Sequence, residues 1–135
     1  MTLKEKLENL VLNEPKDVKK IEAICREIMT IDIPKESLVD LFKVLEKNPH
    51  FFFGMPGDPV LTIERYYKEP YYYDLLIQSI KRYPTEYNLW MLQRLMNTFE
   101  TKDEKEEGLQ LFKKILQETE DAELKKTLEG FIAVH

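Results

Sequence analysis

Few side chains in this sequence have the chemistry of an activated nucleophile or a metal ligand. A catalytic Ser, Thr or Cys normally needs a histidine as its base, and the two histidines are His50, in an aromatic run, and His135, the last residue. Neither belongs to a His-Glu-x-x-His or Glu-x-x-His motif, the spacings that bind metals on helices. We therefore expect no enzyme activity, no cofactor and no metal site, although a site split across helices, with His50 in a pocket, is an alternative.

The only cysteine, Cys25, lies in an apolar stretch. A single cysteine forms neither an internal disulfide nor a cysteine-based zinc site, and we expect an inert thiol in the core. Such a thiol fits a reducing compartment. The first residues lack the pattern of a signal peptide, and no apolar run approaches the ~18 residues of a membrane helix. These features predict a cytoplasmic protein with no membrane partner.

Gly54-Met55-Pro56-Gly57 is the segment richest in glycine and proline. It has too few glycines for a phosphate loop, and no Lys-Ser/Thr follows it. It leads into a helix N-terminus, which could bind an anion weakly. We interpret the segment as a structural turn.

Tyrosines are concentrated at one point of the chain. The cluster comprises Tyr66, Tyr67, Tyr71, Tyr72 and Tyr73. A helix buries only one face, and aromatic side chains are favoured at protein interfaces. We expect Tyr66, Tyr67, Tyr71 and Tyr73 to bind a partner; the alternative is that two or three pack inside and the rest are ordinary amphipathic surface.

Residues 100–123 hold nine acids and four bases, an excess of five that equals the whole net charge of −5. This balance disfavours direct binding of nucleic acid, whose phosphates need a basic face, and suits a basic protein. The acids predicted to face such a partner are Glu106, Glu107, Glu118 and Glu120. The alternative is a solvated end whose acids complement helix dipoles.

The elements that would position these side chains are helices. Apolar residues recur at helical spacing nearly throughout; the first stripe runs from Leu3 to Val11. Proline and glycine breaks, together with the caps expected at Thr101 and Asp121, divide the chain into eight helices. The expected N-caps are Thr2, Asp58, Thr85, Thr101 and Asp121.

The eight helices group into four antiparallel pairs, each of the size of a helical repeat. The pairs span 2–30, 34–68, 71–99 and 101–133. We predict a single all-α domain, residues 1–135, built as a short right-handed α-solenoid of HEAT-like type. A compact irregular helical bundle is the alternative. Between helices, Glu64 is expected to pair with Arg94 or Arg82.

Residues 54–97 carry a recognisable pattern. Its members are Gly54, Met55, Pro56, Gly57, Val60, Ile63, Glu64, Tyr73, Leu76, Ser79, Ile80, Arg82, Pro84, Thr85, Trp90, Met91, Leu92, Arg94 and Asn97. The pattern resembles that of small HEAT-like immunity proteins of bacterial polymorphic toxin systems, including contact-dependent growth inhibition. Within the resemblance these residues look like scaffold: a tight loop, a helix cap and a packed tryptophan.

The sequence departs from that family pattern at three places. Asp58-Pro59 stands where a lone proline is expected, Thr62 replaces a histidine, and Gln93 replaces an asparagine. These departures leave the expected fold intact and weaken the inference of a shared partner.

The resemblance implies a function. The protein would bind the toxic C-terminal domain of a cognate effector in the cytosol and neutralise it, by blocking its active site or by holding another surface. A nuclease toxin, with its basic substrate cleft, would suit the charge of −5. The alternative is a helical-repeat adaptor with no toxin partner. The sequence leaves the oligomeric state open.

Overall fold

The computed structural model describes all residues, Met1–His135. It contains eight α-helices and no strand, which confirms the predicted all-α class. The helices are α1 (Leu3–Glu8), α2 (Val18–Met29), α3 (Lys35–Lys47), α4 (Asp58–Glu64), α5 (Tyr72–Arg82), α6 (Glu86–Met96), α7 (Lys102–Glu118) and α8 (Ala122–Val134). No helix combines the length and the apolarity that crossing a bilayer requires.

Side-chain caps explain where four of the eight helices begin. The hydroxyl of Thr85 accepts a hydrogen bond from the Asn88 N–H at 3.1 Å, and the Asn88 side chain accepts one from the Thr85 N–H at 2.8 Å. Asp121 caps α8 through two N–H groups. The hydroxyls of Thr2 and Thr101 cap α1 and α7 by accepting hydrogen bonds from the N–H groups of Glu5 and Glu104. These four predicted caps are confirmed.

The predicted cap at Asp58 is wrong by one residue. Gly57 is the N-cap of α4, and its φ of 89° belongs to the region that favours glycine. A Cβ at Gly57 would lie 2.5 Å from the carbonyl oxygen of Phe53. The tight loop before α4 therefore requires glycine at this position.

Helix α1 is shorter than the apolar spacing predicted. The first helix ends at Glu8, so Val11 is exposed and lies outside any helix. The segment after α1 is instead held by Asp17, whose carboxylate accepts hydrogen bonds from the N–H groups of Asn13 and Glu14 at 2.8 and 2.9 Å. Local side-chain hydrogen bonds of this kind compete with continued helix.

The helices pack in two rows. In one row α1 contacts α3 and α3 contacts α5; in the other α2 contacts α4, α4 contacts α6 and α6 contacts α8. This order of contacts is the one expected of stacked helix pairs. The right-handed solenoid itself stays a prediction.

A polar cluster ties α3, α5 and α6 together. The carboxylate of Glu46, almost completely buried, accepts two hydrogen bonds from the Arg82 guanidinium and one from the Ser79 hydroxyl, all at 2.8 Å. The Asn88 amide donates to Ser79 at 3.1 Å and to the Tyr83 carbonyl at 3.0 Å. Because the cluster is buried, a polar group left without its hydrogen-bond partner there would lower the free energy of unfolding, so these bonds are important for stability.

Candidate protein-binding groove

The surface of the protein contains an open groove of about 630 Å³. It is lined by three parts of the chain: the loop 49–56, which we call one wall, α6 with the preceding turn at 83–85, which we call the floor, and the α7–α8 connection at 119–124, which we call the far wall. We call this concavity the groove. Its volume falls within the range of known ligand sites.

The lining of the groove exposes large apolar side chains. Phe52 and Met55 are 67% and 92% exposed, and Tyr83 and Trp90 are 49% and 51% exposed. Single exposed apolar residues are ordinary, but several around one concavity are typical of an interaction site. Trp90 was expected to be packed; its exposure corrects that part of the scaffold interpretation.

The aromatic wall of the groove is held in place by Tyr87. Its hydroxyl accepts a hydrogen bond from the Phe53 N–H at 3.0 Å and donates one to the Phe51 carbonyl. The rings of Phe53 and Tyr87 meet edge to face with centroids 5.2 Å apart. These contacts fix the loop before any ligand arrives, so the groove is preformed.

Three residues spaced one turn apart on α6 line the floor: Glu86, Trp90 and Arg94. The carboxylate of Glu86 accepts a hydrogen bond from the Thr127 hydroxyl at 3.1 Å. The Trp90 ring meets Phe131 edge to face, with centroids 4.8 Å apart. The floor therefore runs from a carboxylate through an exposed indole to a guanidinium.

Arg94 already has an anionic partner. Its Nη2 lies 3.2 Å from Oε1 of Glu64, without the angles of a hydrogen bond. Of the two alternatives for Glu64, the pairing with Arg94 is confirmed, and Arg82 pairs with Glu46 instead. Burial raises the pKa of Glu64, and Arg94 opposes that rise.

Nine of the nineteen residues of the pattern in 54–97 line the groove. They are Gly54, Met55, Pro56, Val60, Pro84, Thr85, Trp90, Met91 and Arg94. Other members lie elsewhere: Gly57 begins α4, Arg82 belongs to the buried polar cluster, and the exposed Asn97 caps the end of α6. The pattern is therefore more than scaffold, because it supplies the floor and part of one wall of this concavity.

The predicted tyrosine surface is only partly present. Tyr66 is buried, and its hydroxyl accepts a hydrogen bond from the Ile33 N–H at 3.3 Å. We therefore do not retain Tyr66 as a partner-binding residue. Tyr67 is exposed beside Lys68, while Tyr71 and Tyr73 are half-buried. None of the tyrosines predicted to bind a partner lines the groove.

The four predicted acids are exposed but do not form one patch. Glu107 and Glu118 share a face of α7, yet eleven residues of helix separate them by roughly 16 Å. Glu107 lies beside Tyr73, and burial, together with this carboxylate, raises the pKa of Tyr73 to about 12. Glu106 accepts a hydrogen bond from its own helix. None of the four, Glu120 included, lines the groove.

The sequence interpretation missed Phe52, Met55, Tyr83 and Glu86. One signal was available: the aromatic run before the Gly-Met-Pro-Gly loop places apolar side chains in a segment that cannot be a helix. The residues that face them from 119–124 give no such local signal.

The geometry offers little to catalysis. His50 lines the groove but makes no hydrogen bond within the protein, and the neighbouring Thr85 hydroxyl is engaged in its cap. Cys25 is buried, and burial raises the pKa of its thiol to about 11. The ring of His135 lies 2.6 Å from the amide oxygen of Gln93. No three or more His, Cys, Asp or Glu side chains are grouped to hold a metal ion.

No protein-family model, curated protein or solved structure matches this chain. Any functional assignment therefore rests on the groove and on the resemblance in residues 54–97.

Proposed function

We propose that this chain is a cytoplasmic protein-binding module that takes its partner in the groove. The observation that carries the proposal is the ring of exposed apolar side chains, Phe52, Met55, Tyr83 and Trp90, around a preformed concavity. Exposed aromatic anchors at the centre of a shaped surface are typical of binding hot spots. No catalytic step is assigned to the chain.

The chemistry of the groove favours a protein segment over nucleic acid. Its lining contains one permanent cation, Arg94, which is paired with Glu64, and two carboxylates, Glu86 and Asp121. Phosphates would meet more negative than positive charge there. Apolar side chains of a polypeptide would instead cover the exposed aromatic surface and gain the free energy of burial.

We further propose that the partner is the toxic C-terminal domain of a bacterial effector, and that binding neutralises it. This step is supported by the resemblance to immunity proteins together with the position of the resembling residues. Nine of the nineteen, including Pro56, Pro84 and Trp90, line the same groove. Residues that belong to one sequence motif and line one binding surface are expected to serve the same function.

The test is co-expression with the C-terminal toxin domain encoded directly upstream. The wild-type chain should restore growth and co-elute with the domain on size exclusion. Trp90→Ala should weaken the complex by at least about 2 kcal/mol, the loss typical of a hot spot, and abolish rescue. Tyr67→Ala is the matched control, because Tyr67 is a similarly exposed aromatic outside the groove.

Each outcome decides one part of the proposal. No rescue and no complex would refute the toxin partner. A complex that depends on Tyr67 and not on Trp90 would move the interface to the tyrosine cluster and refute the groove. Capture of a different partner that depends on Trp90 would favour the adaptor function.

A further inference from the structure

The two ends of the groove floor differ in charge. At one end lie the carboxylates of Glu86 and Asp121, and neither takes part in an ion pair. At the other end lies Arg94, whose charge is opposed by Glu64 at 3.2 Å. The groove therefore presents unneutralised negative charge at the Glu86 end alone.

An aromatic surface lies next to that negative charge. Trp90 follows Glu86 by one helical turn, so the two side chains are neighbours on α6. Its ring is half-exposed and is in T-shaped contact with the ring of Phe131. A tryptophan face attracts Lys and Arg side chains, and nearby carboxylates add to the attraction. Tyr83, also half-exposed, lies in the turn that precedes α6.

We propose that the groove selects a partner segment that carries an arginine between apolar residues. The guanidinium binds against Trp90 beside Glu86, and the apolar neighbours cover Phe52 and Met55. This inference deepens the proposed function and rests on its assignment of the groove as the binding site.

The charge of Glu86 also acts on its own helix, and the test must separate this effect from an effect on binding. Glu86 lies in the first turn of α6, where a carboxylate complements the helix dipole. Glu123 lies in the first turn of α8, is exposed, and does not line the groove. Glu86→Gln and Glu123→Gln therefore remove the same kind of charge, and only the first removes it from the groove.

Trp90 provides a direct reporter, because it is the only tryptophan in the chain. Its indole N–H gives one side-chain signal in a nitrogen–proton NMR spectrum. The probe is the peptide acetyl-Gly-Leu-Arg-Leu-Gly-amide, titrated to several millimolar against the full chain. The comparison peptide replaces arginine by citrulline, which keeps the shape of the side chain and removes its charge.

We expect the arginine peptide to shift the indole signal and to bind at least about five-fold more tightly than the citrulline peptide. Glu86→Gln should weaken the arginine peptide by about two- to five-fold and leave the citrulline peptide unchanged. Glu123→Gln should change neither affinity.

Three outcomes would overturn the inference: equal binding of the two peptides, no indole shift with either peptide, or an indole shift that depends on protein concentration alone. The last outcome would indicate a second copy of the chain in the groove.

The toxin experiment can fail independently of the peptide experiment. A toxin complex that needs Trp90 but ignores Glu86→Gln would refute the arginine selection and keep the proposed function. Peptide selection without a toxin complex would refute the toxin partner only.

Discussion

Glu46 is expected to contribute more to stability than any exposed carboxylate of the same helix. It accepts three hydrogen bonds, two from Arg82 and one from the fully buried Ser79 hydroxyl. Glu46→Gln keeps the shape of the side chain but leaves one acceptor oxygen for these three donors. The change also removes the charge that strengthens the bonds.

The expected loss of stability in Glu46→Gln follows from those contacts. A buried donor without an acceptor costs about 1–3 kcal/mol, and loss of charge assistance weakens each remaining bond by about 1 kcal/mol. The Arg82 side chain is 34% exposed, so water replaces part of what it loses. We expect Glu46→Gln to lower the free energy of unfolding by about 3 kcal/mol, a large share of the 5–15 kcal/mol typical of a domain.

The assay is urea unfolding followed by far-UV circular dichroism and tryptophan fluorescence. The midpoint should fall while the slope with urea stays constant. Glu36→Gln is the control, because Glu36 is exposed on the same helix, and it should change stability by no more than about 0.5 kcal/mol. A double-mutant cycle with Arg82→Gln should give a coupling of about 1–3 kcal/mol.

The reasoning fails if Glu46→Gln costs no more than Glu36→Gln. It also fails if the cycle gives no coupling, because the loss would then not pass through Arg82.

Three further predictions concern single sites. A Cβ at Gly108 would lie 2.5 Å from Sδ of the buried Met96, so Gly108→Ala should destabilise the protein by about 1 kcal/mol in urea unfolding. Gly130 has open space around it, so Gly130→Ala should stabilise the protein by about 0.5–1 kcal/mol. Equal effects of the two substitutions would refute the packing argument. Cys25 should react with a thiol reagent at neutral pH only after unfolding, because burial raises its pKa to about 11; rapid labelling of the native protein would contradict its burial. Two backbone N–H groups lower the pKa of Asp17 below its ordinary 3.8, so its stabilisation is present above that value and is lost as pH falls through the lower folded pKa. The difference in unfolding free energy between wild type and Asp17→Asn should therefore be largest at neutral pH and shrink in acid; a constant difference would contradict this.

Features that depend on a few neighbouring residues could be predicted from the sequence. The caps at Thr85 and Asp121 are examples, since each is completed within three residues. Val11 was misassigned because its apolar spacing continues a stripe that Asn13 and Glu14 interrupt by hydrogen bonding to Asp17. Spacing alone does not detect such a competing bond.

The groove could not be predicted because its walls come from distant segments. The loop 49–56 and the α7–α8 connection at 119–124 meet only after the intervening helices have packed. The exposure of Trp90 depends on how much of its ring Phe131 covers, and the sequence does not give that contact. Tyr66 and Tyr67 illustrate the same point: adjacent tyrosines end in the core and on the surface.

The order of helix contacts has a consequence for local opening. Among the helices, the backbones of α7 and α8 come close only to each other and to α6. A unit held at one interface opens at lower cost than the whole molecule unfolds. Backbone amides of α7 and α8 should therefore exchange with deuterium before those of α3, which contacts α1, α4, α5 and α6. Since residues 119–124 form one wall of the groove, each such opening widens it, and an occupant that bridges both walls should slow exchange throughout this helical pair.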